Sequence, residues 1–464
     1  MMRGNSFKAV NIKVVGLVVT CLVFSPTALS ERLYAQTTPT DKMDAVMSAG
    51  YQKVWNKEVQ ARIDRDIRTY RMADATLQFA GSVNRKGVRI EQVSHDFLFG
   101  SNTFLWGDCH SPHNDSIYSN TFGTLFNAAT IAFYWRDLEP TKGQPRFAAG
   151  SPYIHRRPAP DPIVAFMNRH NVNINGHCII YGQPFAIPAW MPDSRLQMDS
   201  LFKAHIQELA SRYTDKIQRW DVVNECYDQV NRHLMPDDYT FRCYQWANAF
   251  FPKSVSLNMN ECDMHWPTTD INHYVEIARN LLFRGARINN LGIQSHIMST
   301  DEMEQMAEGT IRYLTPEHIW ANLQTLSKAE RPIYISEVTV CAPDSTPRGL
   351  AIQAAVTRNL YRIYFSHPNV RGITWWNMVD HGGFKGEPLY SGIYDVDMRP
   401  KPVYHVLDTL IHQEWTTRLT QAPDKNGELH FRGFKGRYRI TWTDKKGHRH
   451  ESFIHLDKDG AFQL

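Results

Sequence analysis

The chain has 464 residues, a formal net charge of +4 and 42% hydrophobic residues, an ordinary globular composition that excludes disorder, collagen and coiled coil. No Lys/Arg block is interleaved with aromatics, so nothing marks a nucleic-acid partner. Aromatic residues reach 12%, with 12 Trp; such rings stack on pyranose faces in sugar-handling proteins, but most Trp in any fold are core.

The first segment reads as an export signal. Arg3, Lys8 and Lys13 precede the run Val14 to Phe24, which is apolar but too short to span a bilayer, and Ser25-Pro26 with small residues follow. Residues 1–35 are therefore expected to be removed near Ala35, leaving a soluble protein, without a membrane span, in the periplasm or outside the cell. Cys21 lies in this signal. Cys109, Cys178, Cys226, Cys243, Cys262 and Cys341 remain, with no CxxC pair to suggest a zinc ribbon or a thioredoxin-like site. An oxidising compartment would allow one or two disulfides among them. Several lie in apolar runs, where a small buried hydrophobe is the commoner role.

Residues 36–95 predict a polar spacer at Thr37 to Thr40, one exposed amphipathic helix over Tyr51 to Met72, and a small β element over Ala75 to His95 with a polar turn at Val83 to Val88. Residues 96–412 then show eight short apolar runs: Phe97–Gly100, Ala128–Trp135, Val172–Ile180, Ile217–Val223, Val255–Met259, Leu291–Ile297, Ile333–Val338 and Gly372–Trp376. Segments of helical spacing separate them, such as Leu201 to Arg212, Tyr274 to Arg284 and Leu350 to Phe365. Eight βα units predict an α/β fold, a (β/α)8 TIM barrel. A doubly wound sheet would want a Gly-rich turn after the first run, and Gly100-Ser101-Asn102 is not one. Residues 413–464 return to a period of two and predict a small C-terminal β extension packed on the barrel, with hairpin turns at Asp424 to Gly427 and Asp444 to Gly447.

Barrel enzymes take their reactive groups from the C-terminal ends of strands. The fourth run ends Trp220-Asp221-Val222-Val223-Asn224-Glu225 and the seventh ends Ser336-Glu337. Both glutamates face the same mouth from opposite sides, which suits glycosidic hydrolysis: one carboxyl protonates the leaving oxygen while the other attacks or activates water at the anomeric carbon. The third, sixth and eighth runs add His177, Tyr181, Gln294, His296 and Trp376, groups that hydrogen-bond sugar hydroxyls or supply an apolar floor. Glu261, ending the fifth run, is a rival for the second carboxylate.

Trp220 to Glu225 resembles the acid/base signature of glycoside hydrolase family 10, best known for endo-1,4-β-xylanases. The likeness runs from about Phe97 to Leu410: Glu139-Pro140-Thr141-Lys142-Gly143, Gly176-His177, Gln294-Ser295-His296 and Gly372 to Trp376 with Asp380 each match a family stretch, Pro188-Ala189-Trp190 resembles another, and Asn260-Glu261 stands where the family has Asn-Asp. The resemblance implies retention of anomeric configuration, Glu225 as acid/base and Glu337 as nucleophile. It implies that Asn224 binds the sugar 2-hydroxyl, that Gln294 and His296 orient the nucleophile, and that His177 and Trp376 bind the same sugar. Tyr181 is a substrate-binding candidate. No cofactor or metal is implied.

The sequence also departs from that pattern. Thr130 to Trp135 lacks the Glu, Asn and Lys with which the family holds the non-reducing side, Tyr181-Gly182 replaces Trp-His, and Val338-Thr339 replaces the Leu-Asp whose carboxylate supports the histidine. Retaining cleavage of β-1,4-xylosidic bonds in xylan or a decorated xylan is the expected function, acting as a monomer on a polysaccharide or oligosaccharide. The alternatives are a retaining hydrolase of another β-linked polysaccharide or glycoside, and a non-catalytic carbohydrate-binding protein. A metal hydrolase finds little support: there is no HExxH, and His110-Ser111-Pro112-His113 reads as a surface loop.

Overall fold

In the computed structural model, residues 45–81, 83–84, 87–227 and 235–464 are described. The expected export signal, the spacer Thr37 to Thr40, and Arg85 and Lys86 of the first turn lie outside them. The expected first helix is two, α1 (Ala49–Val54) and α2 (Lys57–Tyr70), because Asn56 interrupts the run and caps the second by accepting from Val59 N at 3.0 Å. Nor is α2 merely exposed. Its Val59, Ile63 and Ile67 are buried, and Asp64 accepts from Arg362 of the helix Pro347–Ser366 at 2.5 Å.

Sixteen strands among the described residues form three sheets. Two are small. β1 (Met72–Gln78) pairs antiparallel with β13 (Glu428–Phe434) and parallel with β16 (Gly460–Gln463), while β2 (Val88–His95) lies between β12 (Arg418–Gln421) and β14 (Gly436–Thr443), with β15 (Arg449–Leu456) beyond. The segments on either side of the barrel in sequence thus share one β module. Its core includes Leu77, Val88, Ile90, Leu429, Tyr438, Ile440 and Leu456. Asp444 to Gly447 joins paired strands β14 and β15 as expected. Asp424 to Gly427 does not make a hairpin: it joins β12 to β13, which belong to different sheets. Arg71 and Trp415 tie this module to the barrel. Arg71 Nε donates to Phe365 O at 2.5 Å, and the Trp415 ring stacks on Phe365 at 4.0 Å.

The third sheet is the barrel. β3 (Leu98–Asn102), β4 (Ala128–Ala132), β5 (Asn173–His177), β7 (Arg219–Asn224), β8 (Ser256–Asp263), β9 (Asn290–Ile297), β10 (Ile333–Val340) and β11 (Val370–Trp375) are parallel, each overlapping one of the eight expected runs, and the β5–β7 and β11–β3 pairings close the ring. A two-residue strand, β6 (Ile180–Tyr181), adds to the edge of β7 after a cis His177–Cys178 peptide. Helices follow the strands, as at Arg195–Tyr213, Thr268–Phe283 and Pro347–Ser366.

Side-chain fit explains several sequence choices. A Cβ on Gly176 would lie 2.3 Å from the Trp220 ring, so only glycine lets that indole pack outside the strands against Phe133, Tyr213 and Phe251. Below the site the interior is polar and internally satisfied: Asp221 accepts from Asn175 at 2.7 Å and Asn258 at 3.1 Å, and Asn290 donates to Asn258 at 2.7 Å. His110 lies in an exposed bend as expected, while His113 is an exposed residue in the first turn of the helix Pro112–Thr124, capped by Ser111. Cys109, Cys178, Cys226, Cys243 and Cys341 are buried free thiols, which suits the hydrophobe role and leaves none of these five in a disulfide. No helix among the described residues is long and apolar enough to cross a membrane.

Candidate active site

Parallel register decides which polar residues meet at the barrel mouth. Asn224 is opposite Asn260, Gln294 opposite Glu337, and His296 opposite Thr339. Register shifts after Asp221 in β7 and after Ile335 in β10 fall just before the two glutamates, the kind of irregularity that re-aims a side chain. Glu225 itself has φ 51°, in the left-handed region, and its N–H donates to Asn260 O at 2.9 Å. That turn brings its carboxyl into a cavity of about 290 Å³ that Glu337 also lines.

The two carboxyls are held differently. Glu337, 5% exposed, accepts from Asn260 Nδ2 at 2.9 Å, and its other oxygen lies 3.3 Å from His296 Nε2 and its first 3.9 Å from His177 Nε2. Glu225 accepts from Gln294 Nε2 at 2.9 Å and from the phenol of Tyr181. Burial raises the Glu225 pKa and the charge of Glu337 adds to the rise, while the two donors oppose it. Gln294 therefore reaches the acid/base candidate, not the nucleophile that the resemblance assigned to it. Tyr181 does so too, because β6 sets it beside Asn224.

Both imidazoles carry raised pKa values. Burial alone would lower them, but Asp221 and the charge of Glu337 outweigh it at His177, and Glu337 with Asp263 outweighs it at His296. His177 Nδ1 lies 2.9 Å from Asp221 Oδ2, which gives the aspartate of the Trp-Asp-Val-Val-Asn-Glu run its task. The expected lack of a carboxylate behind His296 is met by Thr339, whose Oγ1 lies 2.9 Å from Nδ1. Asn260 Nδ2 donates to Asn224 Oδ1 at 2.7 Å as well as to Glu337, leaving the Asn224 amide hydrogens for a ligand. A Cβ on Gly292 would lie 2.2 Å from Asn260 Oδ1.

The floor is aromatic. Trp376 meets His177 edge-on at 5.4 Å and Phe104 at 5.1 Å, Tyr134 OH lies 3.1 Å from His177 Nε2, and Phe185 and Phe384 form an exposed rim. Every expected site residue, Glu225, Glu337, His177, Tyr181, Asn224, Gln294, His296 and Trp376, lines this one cavity. Glu261 does not: it is buried and accepts from Tyr227 N at 2.5 Å. Sequence reasoning missed Asn260 as the shared donor, Tyr134, Phe104, and the pair Arg156-Arg157, which also line the cleft or support it. Two of these carried a signal: Asn260 stood in a stretch matched to the family, and Tyr134 lay one residue before the end of the second apolar run. Two matched stretches turn out to brace the cleft from outside: Glu139 accepts from Trp135 Nε1 at 2.8 Å and Gly143 N at 2.6 Å, and its carbonyl accepts from Trp190 Nε1 at 2.8 Å.

The group of three side chains among the described residues able to hold a metal, Asp424, Glu428 and His430, lies in the β module and not in this cleft. A larger cavity of about 790 Å³ near Tyr239 and Arg284 contains neither glutamate.

The family model described as Glycosyl hydrolase family 10 matches residues 96–409. The chain belongs to glycosyl hydrolase family 10. Its barrel is similar to the crystal structure of xylanase 10B from Thermotoga petrophila RKU-1 in complex with xylobiose, with TM-score 0.55 and 19% identity, covering 69% of this chain and 95% of that one. Among curated relatives it is 23% identical over 428 residues to the anti-sigma-I factor RsgI6 of Acetivibrio thermocellus, covering 90% of this chain and 50% of the relative. It is 22% identical over 301 residues to endo-1,4-beta-xylanase B of Thermotoga neapolitana, covering 61% of this chain and 80% of that enzyme. The chain thus spans half the length of the first of these relatives.

Proposed function

We propose that this family 10 protein is a retaining O-glycoside hydrolase that cleaves β-1,4-xylosidic bonds in xylan or a decorated xylan, with Glu225 as acid/base and Glu337 as nucleophile. The observation that carries the reading is the unequal setting of two carboxyls in one cleft. Glu225 is pushed toward its protonated form by burial and by Glu337, as a proton donor to a leaving oxygen must be. Glu337 is faced by an amide donor and two imidazoles favoured as cations, which orient a carboxylate for attack.

In the first step Glu337 attacks the anomeric carbon as Glu225 gives its proton to the departing oxygen, and a glycosyl-enzyme forms. Esterification removes the charge of Glu337, so the force raising Glu225 weakens and it ionises. As a carboxylate it then takes a proton from water, which attacks the anomeric carbon and frees Glu337. Asn224 offers its amide to the sugar 2-hydroxyl, and Trp376 gives the ring an apolar floor. The names of the xylanase relatives support xylan as the substrate class. We place the protein outside the cytoplasm, on the strength of the N-terminal pattern alone.

The test is product release from linear xylan, arabinoxylan, glucuronoxylan, mixed-linkage and marine β-glycans, by wild type beside Glu225→Ala. Xylo-oligosaccharides from wild type only are expected. Activity confined to other glycans would overturn the xylan assignment. Silence throughout would favour a carbohydrate-binding role.

A further inference from the structure

Of three arginines in one loop segment, Arg146 and Arg156 are buried and Arg157 is partly so, and Arg146 and Arg157 spend their donors on the protein. Arg146 donates to Pro152 O at 2.7 Å, Asp137 O at 2.7 Å and Arg157 O at 3.1 Å. Arg157 donates to Asp137 Oδ2 at 3.0 Å and Arg156 O at 2.9 Å, with its guanidinium over the Tyr134 ring at 4.1 Å. Arg156 is different. It is 6% exposed, its Nε is fully buried without a hydrogen-bond partner, and among the described residues no side-chain hydrogen bond or ion pair is made by its guanidinium. Buried guanidinium groups are ordinarily hydrogen-bonded and paired, so such a cation is an incomplete arrangement.

Arg156 also stands where a ligand would complete it. It lines the catalytic cavity together with Glu337 and Trp376, and it lines a second cavity of about 350 Å³, bordered by Trp106, Tyr153 and Pro158, that shares Phe104 with the first. Its guanidinium lies 5.3 Å from the Phe104 ring. Glu387, the carboxylate whose charge acts most strongly on it, is engaged by Asn377 Nδ2 at 2.6 Å.

We infer that Arg156 forms an anion subsite for the carboxylate of a uronic acid branch, so that the substrate is an acidic, branched glycan whose main chain lies in the catalytic cleft and whose branch enters the adjoining cavity. A planar guanidinium matches a carboxylate in two parallel hydrogen bonds, and a cavity beside the cleft gives a branch sugar room that a linear chain does not need. The inference rests on the carbohydrate reading of the cleft above and specifies its substrate class.

Calorimetric titration of the full-length Glu225→Gln protein, which holds its ligand without turnover, tests it. The probes are a xylo-oligosaccharide bearing one glucuronic acid branch and the same compound with its carboxyl reduced to the alcohol. The acid is expected to bind about 10- to 100-fold more tightly, the value of a charge-assisted hydrogen bond in a buried site. Arg156→Gln in that background should abolish the preference and Arg156→Lys should keep part of it. Equal binding of the two compounds by the Arg156 protein overturns the inference while leaving the carbohydrate reading intact, and needs no variant of Arg156 to fold. Binding of neither compound overturns the xylan reading and the inference with it.

Discussion

The phenol of Tyr181 donates to Oε2 of Glu225, and this bond acts against the burial that raises the glutamate. Burial and then the charge of Glu225 push the Tyr181 phenol well up, so it remains a donor throughout the working range. Hydrogen bonding to the charged form favours ionisation, so Tyr181 is a brake on the raised pKa of the acid. On the proposed assignment Glu225 must be protonated for the first step, so activity is expected to fall as pH rises through its raised pKa. Tyr181→Phe removes the brake, and the basic limb of the kcat/KM profile should move to higher pH. A limb that stays in place or moves down would refute the assignment of Glu225 as the acid.

The two glutamates should separate by the products their variants make. Glu225→Ala should lose about 10²- to 10⁴-fold in kcat on a substrate with a poor leaving group, and far less on an activated aryl glycoside, whose departure needs no proton. With azide, Glu225→Ala should yield a glycosyl azide of retained configuration, since azide meets the glycosyl-enzyme. Glu337→Ala should yield the inverted azide, since azide enters the space of the missing nucleophile. Nuclear magnetic resonance of the products decides, and the opposite pattern would exchange the two roles.

Asn260 is a positioning residue rather than a catalytic one. It donates to Glu337 Oε1 at 2.9 Å and Asn224 Oδ1 at 2.7 Å, and accepts from Ser336 Oγ at 2.5 Å. Asn260→Ala should lower kcat by about 10- to 100-fold, the value of one or two lost hydrogen bonds to charged or reacting groups, with KM changing much less. A change confined to KM would mean that Asn260 acts on substrate binding alone.

Gly176 offers a stability test away from the chemistry. Gly176→Ala places a Cβ 2.3 Å from the Trp220 ring, so the indole must shift within the packed layer between the strands and the helices, at a cost of about 1 to 3 kcal/mol. Urea unfolding measures it, and an unchanged midpoint would show that the indole relaxes freely.

Lys401 and Asp380 form a buried ion pair at 2.7 Å, with side chains 4% and 6% exposed. Burial lowers the lysine and raises the aspartate, and each partner's charge resists that change in the other. Lys401→Met leaves the Asp380 carboxylate buried and uncompensated and should destabilise by about 3 to 5 kcal/mol. The double variant Lys401→Met with Asp380→Leu should recover much of the loss, as thermal unfolding would report.

Eight apolar runs separated by helical spacing determined the barrel by themselves, because a strand buried on both faces must be a short continuous hydrophobic stretch whatever its neighbours do. The polar residues ending those runs pointed to the candidate site in the same local way, and Glu225, Glu337, His177, His296, Asn224, Gln294, Tyr181 and Trp376, which line one cavity, could all be named from order along the chain. Which of them touch each other was decided only by register and by a turn. The left-handed φ of Glu225 and the short β6 strand bring Tyr181 and Gln294 to Glu225 rather than to Glu337, and no spacing in the sequence encodes that. Pairing between distant segments was equally invisible: β1 and β2 look like a separate element until β13, β14 and β16, more than 300 residues later, supply the strands they lack. A period of two reports that one face is buried but says nothing of what buries it. The cation at Arg156 belongs to the same class, since only the fold could show that two neighbouring arginines are satisfied and the third is not.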